Sequence, residues 1–240
     1  MLFNLILKIV DFFYQKKIIT FFKKNLNTEI EVLIDVGAHK GETVVSFLKN
    51  FKIQNIYSFE ASNETYKVLE TKVLQLNGQY NQTNIEAYNT AIGNSNEQKI
   101  FNELSDSNSS TFSLIDQQSS YFKRKKRILS FFFKNDFLIK NSIVSQIKLS
   151  EFIKNKNLKL IDILKIDTEG YEFEVLKGLE GDIRLVDFIY FEHHYDNMLK
   201  KNYKFSEIHD FLVNNGFSKV FKIKMPLRKS FDYIYRKKTV

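Results

Sequence analysis

The sequence predicts an α/β protein with a mostly parallel sheet and one N-terminal amphipathic helix. From residue 29 onward, short apolar runs typical of strands alternate with segments of helical periodicity. Such alternation is typical of strand–helix–strand units, in which helices cover both faces of a parallel sheet in three layers. The length of 240 residues fits one such domain, expected over 29–240, with an extension over 1–28.

The predicted elements follow one another with few interruptions. Gly37 ends the first strand, and Gly216 is placed as the C-terminal stop of the last helix. Residues 97–150 are less regular and contain a polar Ser/Asn stretch. The predicted strands are Glu31–Val36, Asn55–Glu60, Asn84–Asn89, Ile147–Leu149, Leu158–Asp167, Val186–Glu192 and an antiparallel pair, Ser218–Lys224 with Phe231–Lys237. The predicted helices are Glu42–Asn50, Ser62–Leu76, Ser150–Asn155, Tyr171–Leu179 and Phe205–Asn215.

The N-terminal segment is apolar, but several lysines and one aspartate interrupt it. No run in it approaches the ~18 apolar residues of a membrane span, and no small-residue cleavage site follows. Together with the absence of cysteine, which excludes disulfides, this predicts a cytoplasmic protein. Two interpretations of the helix are open. We favour packing on the domain, and the alternative places it peripherally on the inner membrane surface.

The loop after the first strand has the spacing Asp35-x-Gly37-x-x-x-Gly41. Gly37 allows a sharp turn and a close approach of a ligand, and Gly41 allows the next helix to pack near the strand. The pattern differs from the dinucleotide fingerprint, because His39 stands where a second glycine is required. A carboxylate such as Asp35 repels a pyrophosphate and attracts an ammonium group. The alternative is a strand–helix turn without a ligand.

Two further strand ends predict contacts with an adenosine. Glu60 follows the second strand, where a carboxylate can accept hydrogen bonds from both ribose hydroxyls. Ala91 and Ile92 follow the third strand, and small apolar residues there suit an adenine ring.

Acidic residues and histidines follow the next two strands. Since the ends of neighbouring parallel strands meet at one edge, Asp167, Glu169, Glu192 and His193 are expected to converge. Such a group can act as a base or, through Asp167 and Glu192, bind a divalent cation. The alternatives are a helix N-terminal charge for Glu169 and an ordinary packed or exposed ring for His193.

Taken together, these segments resemble the FkbM-type S-adenosylmethionine-dependent methyltransferase family. The resemblance rests on VLIDVGAHKGETV, IYSFEAS, IDILKIDTEGYEFEVLKGLEG, the SSTFSL and IKLSEFI stretches, and FEHH. It implies a class I methyltransferase (Rossmann-like) fold, whose seven-stranded sheet has an antiparallel last strand. It also implies methyl transfer from S-adenosylmethionine to a hydroxyl of a sugar, glycan or secondary metabolite. The family usually carries asparagine at the position of His39.

The predicted roles combine the residue patterns with this resemblance. Asp167 positions the acceptor hydroxyl, and either Asp167 or His193 removes its proton, with Glu169 in the same catalytic group. A divalent cation, if one takes part, is held by Asp167 and Glu192. The residues expected to bind the cofactor are Asp35, Gly37, His39, Gly41, Thr43, Glu60 and Ala91.

A basic aromatic insert near 115–140 carries five consecutive cations, 123–127, between aromatic residues, and the chain has a net charge of +8. Such charge suits an anionic membrane, a lipid-linked acceptor with phosphates, or nucleic acid, whereas the alternative is a solvated helix. A nucleic-acid methyltransferase is disfavoured, because the fourth major strand lacks the Asn/Asp-Pro-Pro-aromatic motif of base amino methylation. A third possibility is a non-catalytic, membrane-bound module of the same fold.

Overall fold

The computed structural model describes residues 2–26, 29–104, 110–132, 139–226 and 228–238. The helices are α1 (Leu2–Asn25), α2 (Glu42–Leu48), α3 (Asn63–Gln79), α4 (Ser120–Phe132), α5 (Leu149–Asn155), α6 (Glu172–Lys177) and α7 (Phe205–Asn214), with a 3-10 turn at Glu180–Leu185. The strands are β1 (Glu29–Val36), β2 (Lys52–Phe59), β3 (Asn84–Tyr88), β4 (Ala91–Gly93), β5 (Glu97–Leu104), β6 (Leu114–Ile115), β7 (Ile139–Lys148), β8 (Ile161–Ile166), β9 (Val186–His194), β10 (Leu199–Lys200), β11 (Phe217–Lys224) and β12 (Ser230–Lys237).

A seven-stranded sheet forms the middle layer, in the order β3-β2-β1-β8-β9-β12-β11. β12 runs antiparallel to both neighbours, and the pairs among β3, β2, β1, β8 and β9 are parallel. One hydrophobic core packs α1, α2 and α3 against one face, and a second packs α5, α6 and α7 against the other. The three-layer α/β fold with an antiparallel last strand is therefore confirmed.

The register of the parallel strands brings their carboxyl ends to one level. Val36 at the end of β1 pairs with Phe59 of β2 on one side and with Ile166 of β8 on the other, and Ile166 pairs with Phe191 of β9. All four side chains are buried, because the strands are covered on both faces. The residues that follow β1, β2 and β8 are consequently neighbours along one edge of the sheet.

The second half of α1 packs on the sheet rather than extending away from it. Tyr14, Ile18, Ile19 and Phe22 are buried in the core that α1 shares with α2 and α3. The Phe22 ring contacts Phe188 of β9, with ring centroids 5.7 Å apart. The packing interpretation therefore describes this half of the helix, whereas contact with a membrane surface stays a prediction. No helix in the described ranges is long and apolar enough to cross a membrane.

The irregular region between β3 and β8 forms a second, three-stranded sheet in the order β4-β7-β5. The sequence predicted only a short strand at Ile147–Leu149 here, whereas β7 extends over Ile139–Lys148 and pairs with β5. The predicted basic aromatic stretch 121–137 falls on α4, except that 133–138 lie outside the described residues. Phe122 on α4 packs against Met198 and Leu199.

Candidate active site

A cavity of about 420 Å³ opens beyond the carboxyl ends of β1, β2, β8 and β9. Its lining includes six of the predicted cofactor and catalytic positions that follow strands: Gly37, His39, Glu60, Ala91, Asp167 and Glu169. Thr43 of α2 and Glu192 of β9 line it as well. Most of the residues predicted from separate strand ends therefore face one common space.

The loop after β1 is shaped by two glycines. Gly37 has a φ of +74°, and a Cβ atom there would lie 1.8 Å from the carbonyl oxygen of Asp167. The backbone N–H groups of Gly37 and Ala38 both donate to the carbonyl oxygen of Phe59 at 2.9 Å. Gly41, with a φ of +86°, precedes the first residue of α2. A side chain at position 37 would therefore separate the loop from the turn after β8.

Glu60 places a carboxylate at the cavity surface directly after β2. Its two oxygens accept hydrogen bonds from the backbone N–H groups of His39 and Ser62, each at 2.9 Å. The residue is 8% exposed and lines the cavity. Burial raises the pKa of Glu60 to about 7, although the two N–H donors favour its ionised form. The carboxylate has further lone pairs for ligand hydroxyls.

Asp35 was expected to contact the cofactor, but the structure places its side chain away from the cavity. The side chain is fully buried and does not line the cavity. Its neighbour in register on β8 is Lys165, whose Nζ lies 3.0 Å from Oδ1 of Asp35 and 3.5 Å from Oδ2 of Asp167. Burial lowers the pKa of Lys165, but the two carboxylates raise it above its usual value overall. Lys165, which the sequence analysis did not select, lines the cavity in place of Asp35.

Three buried acids surround one histidine beside the cavity. Nε2 of His194 lies 3.2 Å from Glu169 and 3.3 Å from Glu192, and its Nδ1 lies 3.4 Å from Asp196. Burial alone would lower the pKa of His194, but Glu169 and Glu192 raise it to about 10. Burial raises the pKa of Glu169 to about 8, against the opposing effect of His194. The neighbouring carboxylates therefore favour the protonated form of His194.

His193 does not reach the cavity, so the structure does not bring it to the predicted catalytic group. β9 continues through His194, and adjacent side chains of a strand point to opposite faces. The His193 ring packs between Tyr195, Tyr203 and Phe205, and burial lowers its pKa to about 3. Glu192 and His194 point to the cavity side of the sheet instead.

The turn after β8 is held by the polar stretch that precedes β6. The Thr111 hydroxyl donates to the carbonyl oxygen of Glu169 at 2.6 Å, and the Ser113 hydroxyl donates to that of Gly170 at 2.9 Å. Glu172 is fully buried and accepts a hydrogen bond from the Gly170 N–H at 2.8 Å. This anchoring keeps Glu169 in its left-handed backbone conformation, with a φ of +50°.

Apart from Ile92, which was predicted together with Ala91, the remaining lining residues were not predicted from the sequence. Phe59, Ile92, Phe101 and Phe112 provide an apolar side beside Ala91. Residues from both ends of the chain close the opposite side: Tyr14, Gln15, Met225, Arg228 and Asp232. Within the described ranges, no three Asp, Glu or His side chains are arranged to hold a metal ion.

Comparisons with known proteins agree with this geometry. The family model described as the methyltransferase FkbM domain matches residues 35–219. An FkbM methyltransferase structure from Methylobacillus flagellatus KT superposes with a TM-score of 0.56 at 11% identity, covering 88% of this chain and 44% of that chain. This chain thus spans less than half the length of that protein. Magnesium protoporphyrin IX methyltransferase from Synechocystis PCC 6803, solved with bound SAM, gives 0.54 at 10% identity, covering 97% and 82% of the two chains. No curated protein matches. The matched model covers most of the sequence, and the chain belongs to the FkbM methyltransferase family.

Proposed function

We propose that this protein transfers a methyl group from S-adenosylmethionine to a hydroxyl oxygen of a sugar, glycan or secondary metabolite. The observation that carries the proposal is the placement of two acids on one cavity. Glu60 follows β2 on one side, and Glu169 follows β8 on the other. Glu60 suits hydrogen bonding to ribose hydroxyls, and Glu169 suits the role of general base. Family membership and the bound SAM of the Synechocystis relative support the same cofactor.

The residues present fit this cofactor. The Glu60 carboxylate lies at the cavity surface with lone pairs for ribose hydroxyls, and Ala91 lies on the apolar side that suits adenine. The loop from Gly37 to Gly41 would hold the methionine end, since Gly37 and His39 line the cavity. Lys165 is a buried cation at that place and suits the methionine carboxylate. Asp35 then acts indirectly, because it holds Lys165.

The catalytic groups lie on the side of the cavity that follows β8. When bound, S-adenosylmethionine supplies a methyl group whose bond to sulfur breaks as the acceptor oxygen bonds to the methyl carbon. Asp167, which is partly exposed in the cavity, orients the acceptor hydroxyl. Glu169 takes the hydroxyl proton, and His194 stabilises its ionised form. Alignment of this kind can contribute ~7–11 kcal/mol, and a positioned base about 10²–10⁴-fold in rate.

Labelled methyl transfer to pools of sugars and lipid-linked glycans tests the proposal. Glu169→Gln should lower turnover by about 10²-fold or more, because the base is lost. Because Glu169 must be ionised and burial raises its pKa to about 8, kcat/KM for the cofactor should rise with pH through that value. Glu180→Gln, at an exposed acid, is the matched control. Full turnover of Glu169→Gln would remove it as the base, and cofactor binding without any transfer would favour a non-catalytic module.

A second candidate is methylation of nucleic acid, which one surface favours. Lys123, Arg124, Lys126 and Arg127 are exposed on α4, whose buried residue Phe122 faces the domain. Such a surface suits a phosphate backbone, and it equally suits an anionic membrane that presents a lipid-linked acceptor. Transfer to RNA that weakens steeply with salt would favour the first. Flotation with vesicles containing phosphatidylglycerol, but not with neutral vesicles, would favour the second.

A further inference from the structure

One side of the cavity is built by residues outside the family match. The match covers 35–219, whereas Tyr14 belongs to α1 and Asp232 to β12. Arg228, on the loop between β11 and β12, also lines this side. The proposed cofactor contacts, in contrast, all lie within the matched residues. Residues from α1, from β12 and from the loop before β12 thus line the same side of the cavity.

Tyr14 presents a buried hydroxyl to this side. The residue is 4% exposed and lines the cavity, and its hydroxyl has no hydrogen-bond partner of acceptable geometry among the described residues. Burial, together with the nearby Asp232 carboxylate, raises the pKa of Tyr14, so it stays a neutral phenol. Buried polar groups without a partner are rare in folded proteins. The hydroxyl therefore lies beside the Asp232 carboxylate at the cavity surface, and a ligand hydroxyl can bond to these two groups together.

Asp232 and Glu192 form a carboxyl pair beside Tyr14. They are direct partners across the antiparallel strands β12 and β9, so their side chains share one face. Tyr190 donates a hydrogen bond to Oδ2 of Asp232 at 2.7 Å. Burial and the charge of Glu192 raise the pKa of Asp232 to about 8, and burial raises that of Glu192. At neutral pH the pair can therefore offer a hydrogen-bond donor and an acceptor together.

We propose that Tyr14, Glu192 and Asp232 form an acceptor subsite that binds adjacent hydroxyl groups of an uncharged polyol, such as a sugar ring. The inference rests on the proposed function and specifies its substrate class. Hydroxyl groups donate and accept hydrogen bonds at once, which matches this mixture of groups. Arg228 at the same side disfavours a cationic acceptor, and the two buried carboxyls disfavour an anionic one.

Saturation-transfer NMR on the full chain tests this subsite, with and without S-adenosylhomocysteine. The test ligands are myo-inositol and methyl α-D-mannopyranoside, and cyclohexanol is the control with one hydroxyl. Wild type should bind at least one polyol, and cyclohexanol should show no saturation-transfer signal. Tyr14→Phe should weaken polyol binding about 3- to 10-fold through one lost neutral hydrogen bond, and Asp232→Asn about 10-fold or more.

Two matched variants control for these changes: Tyr66→Phe on α3 and Asp210→Asn on the exposed side of α7. They should bind the polyol as wild type does, and all four variants should bind S-adenosylhomocysteine like wild type. No polyol binding by wild type, or equal binding by Tyr14→Phe, Asp232→Asn and the controls, overturns the subsite. Failure of wild type to bind S-adenosylhomocysteine instead overturns the proposed function. The two failures can be distinguished, because polyol binding is also measured without S-adenosylhomocysteine.

Discussion

Replacing Glu60 by alanine should weaken S-adenosylhomocysteine binding strongly. Each hydrogen bond from a ribose hydroxyl to the carboxylate contributes about 1.5 kcal/mol at the low end for charged partners. Two such bonds give about 3 kcal/mol, or roughly 100-fold in Kd. Isothermal titration calorimetry at pH 8 measures the difference, since Glu60 is ionised above its pKa of about 7. Below that pH, wild-type affinity should fall as Glu60 is protonated, and the variant should lose this dependence.

The same substitution also removes the acceptor for two backbone N–H groups. The amides of His39 and Ser62 would lose their partner, which costs about 1–3 kcal/mol for each group that stays buried. Thermal unfolding must therefore be measured, so that titration is carried out on folded protein. Glu64→Ala removes a charge from an exposed side chain at the start of α3 and serves as the control. Unchanged affinity of the folded Glu60 variant would refute the ribose assignment.

Two further pairs of substitutions test the loop after β1 and the packing of α1. Gly37→Ala should lower the unfolding free energy by more than about 1 kcal/mol, because its Cβ would overlap a backbone oxygen 1.8 Å away at positive φ. Gly78→Ala, inside α3 with no atom within 4 Å of the added carbon, should instead raise it by about 0.5–1 kcal/mol in denaturant titrations. If α1 is part of the core, Phe22→Ala should lower the free energy of unfolding by about 3–5 kcal/mol. Phe13→Ala, at a side chain that is 58% exposed, should change the free energy of unfolding little. Equal effects within either pair would contradict these accounts.

The positions after single strands were predictable from the sequence. Gly37, Glu60 and Asp167 each follow a local apolar run, and parallel strands place such residues at one edge. Their shared cavity therefore needs only the strand order. The order itself was not predicted, because the alternation of strands and helices indicates a parallel sheet but not which strands are neighbours.

The histidines show where such reasoning reaches its limit. Local periodicity predicted that β9 ends at Glu192, but the strand continues through His194. Because side chains alternate along the whole strand, His193 points to the face opposite Glu192, and His194 shares the face of Glu192. Lys165 and Asp35 depend on register between two strands, which no single segment encodes. The position of Tyr14 at the cavity depends on the packing of α1, which is far in the sequence from most of the other lining residues.

The buried charges of the cavity link cofactor binding to the state of the base. Glu169 and Asp232 both have a pKa of about 8, so protons occupy part of this site at neutral pH. A cation that enters the cavity favours the ionised form of nearby carboxyls and lowers their pKa. Under the proposed function, the positive sulfur of the cofactor has this effect on Glu169. The pH at which kcat rises should therefore lie below the pH at which kcat/KM for the cofactor rises, because the first reports the bound state and the second the free enzyme. The base would then become available mainly when a methyl donor is present.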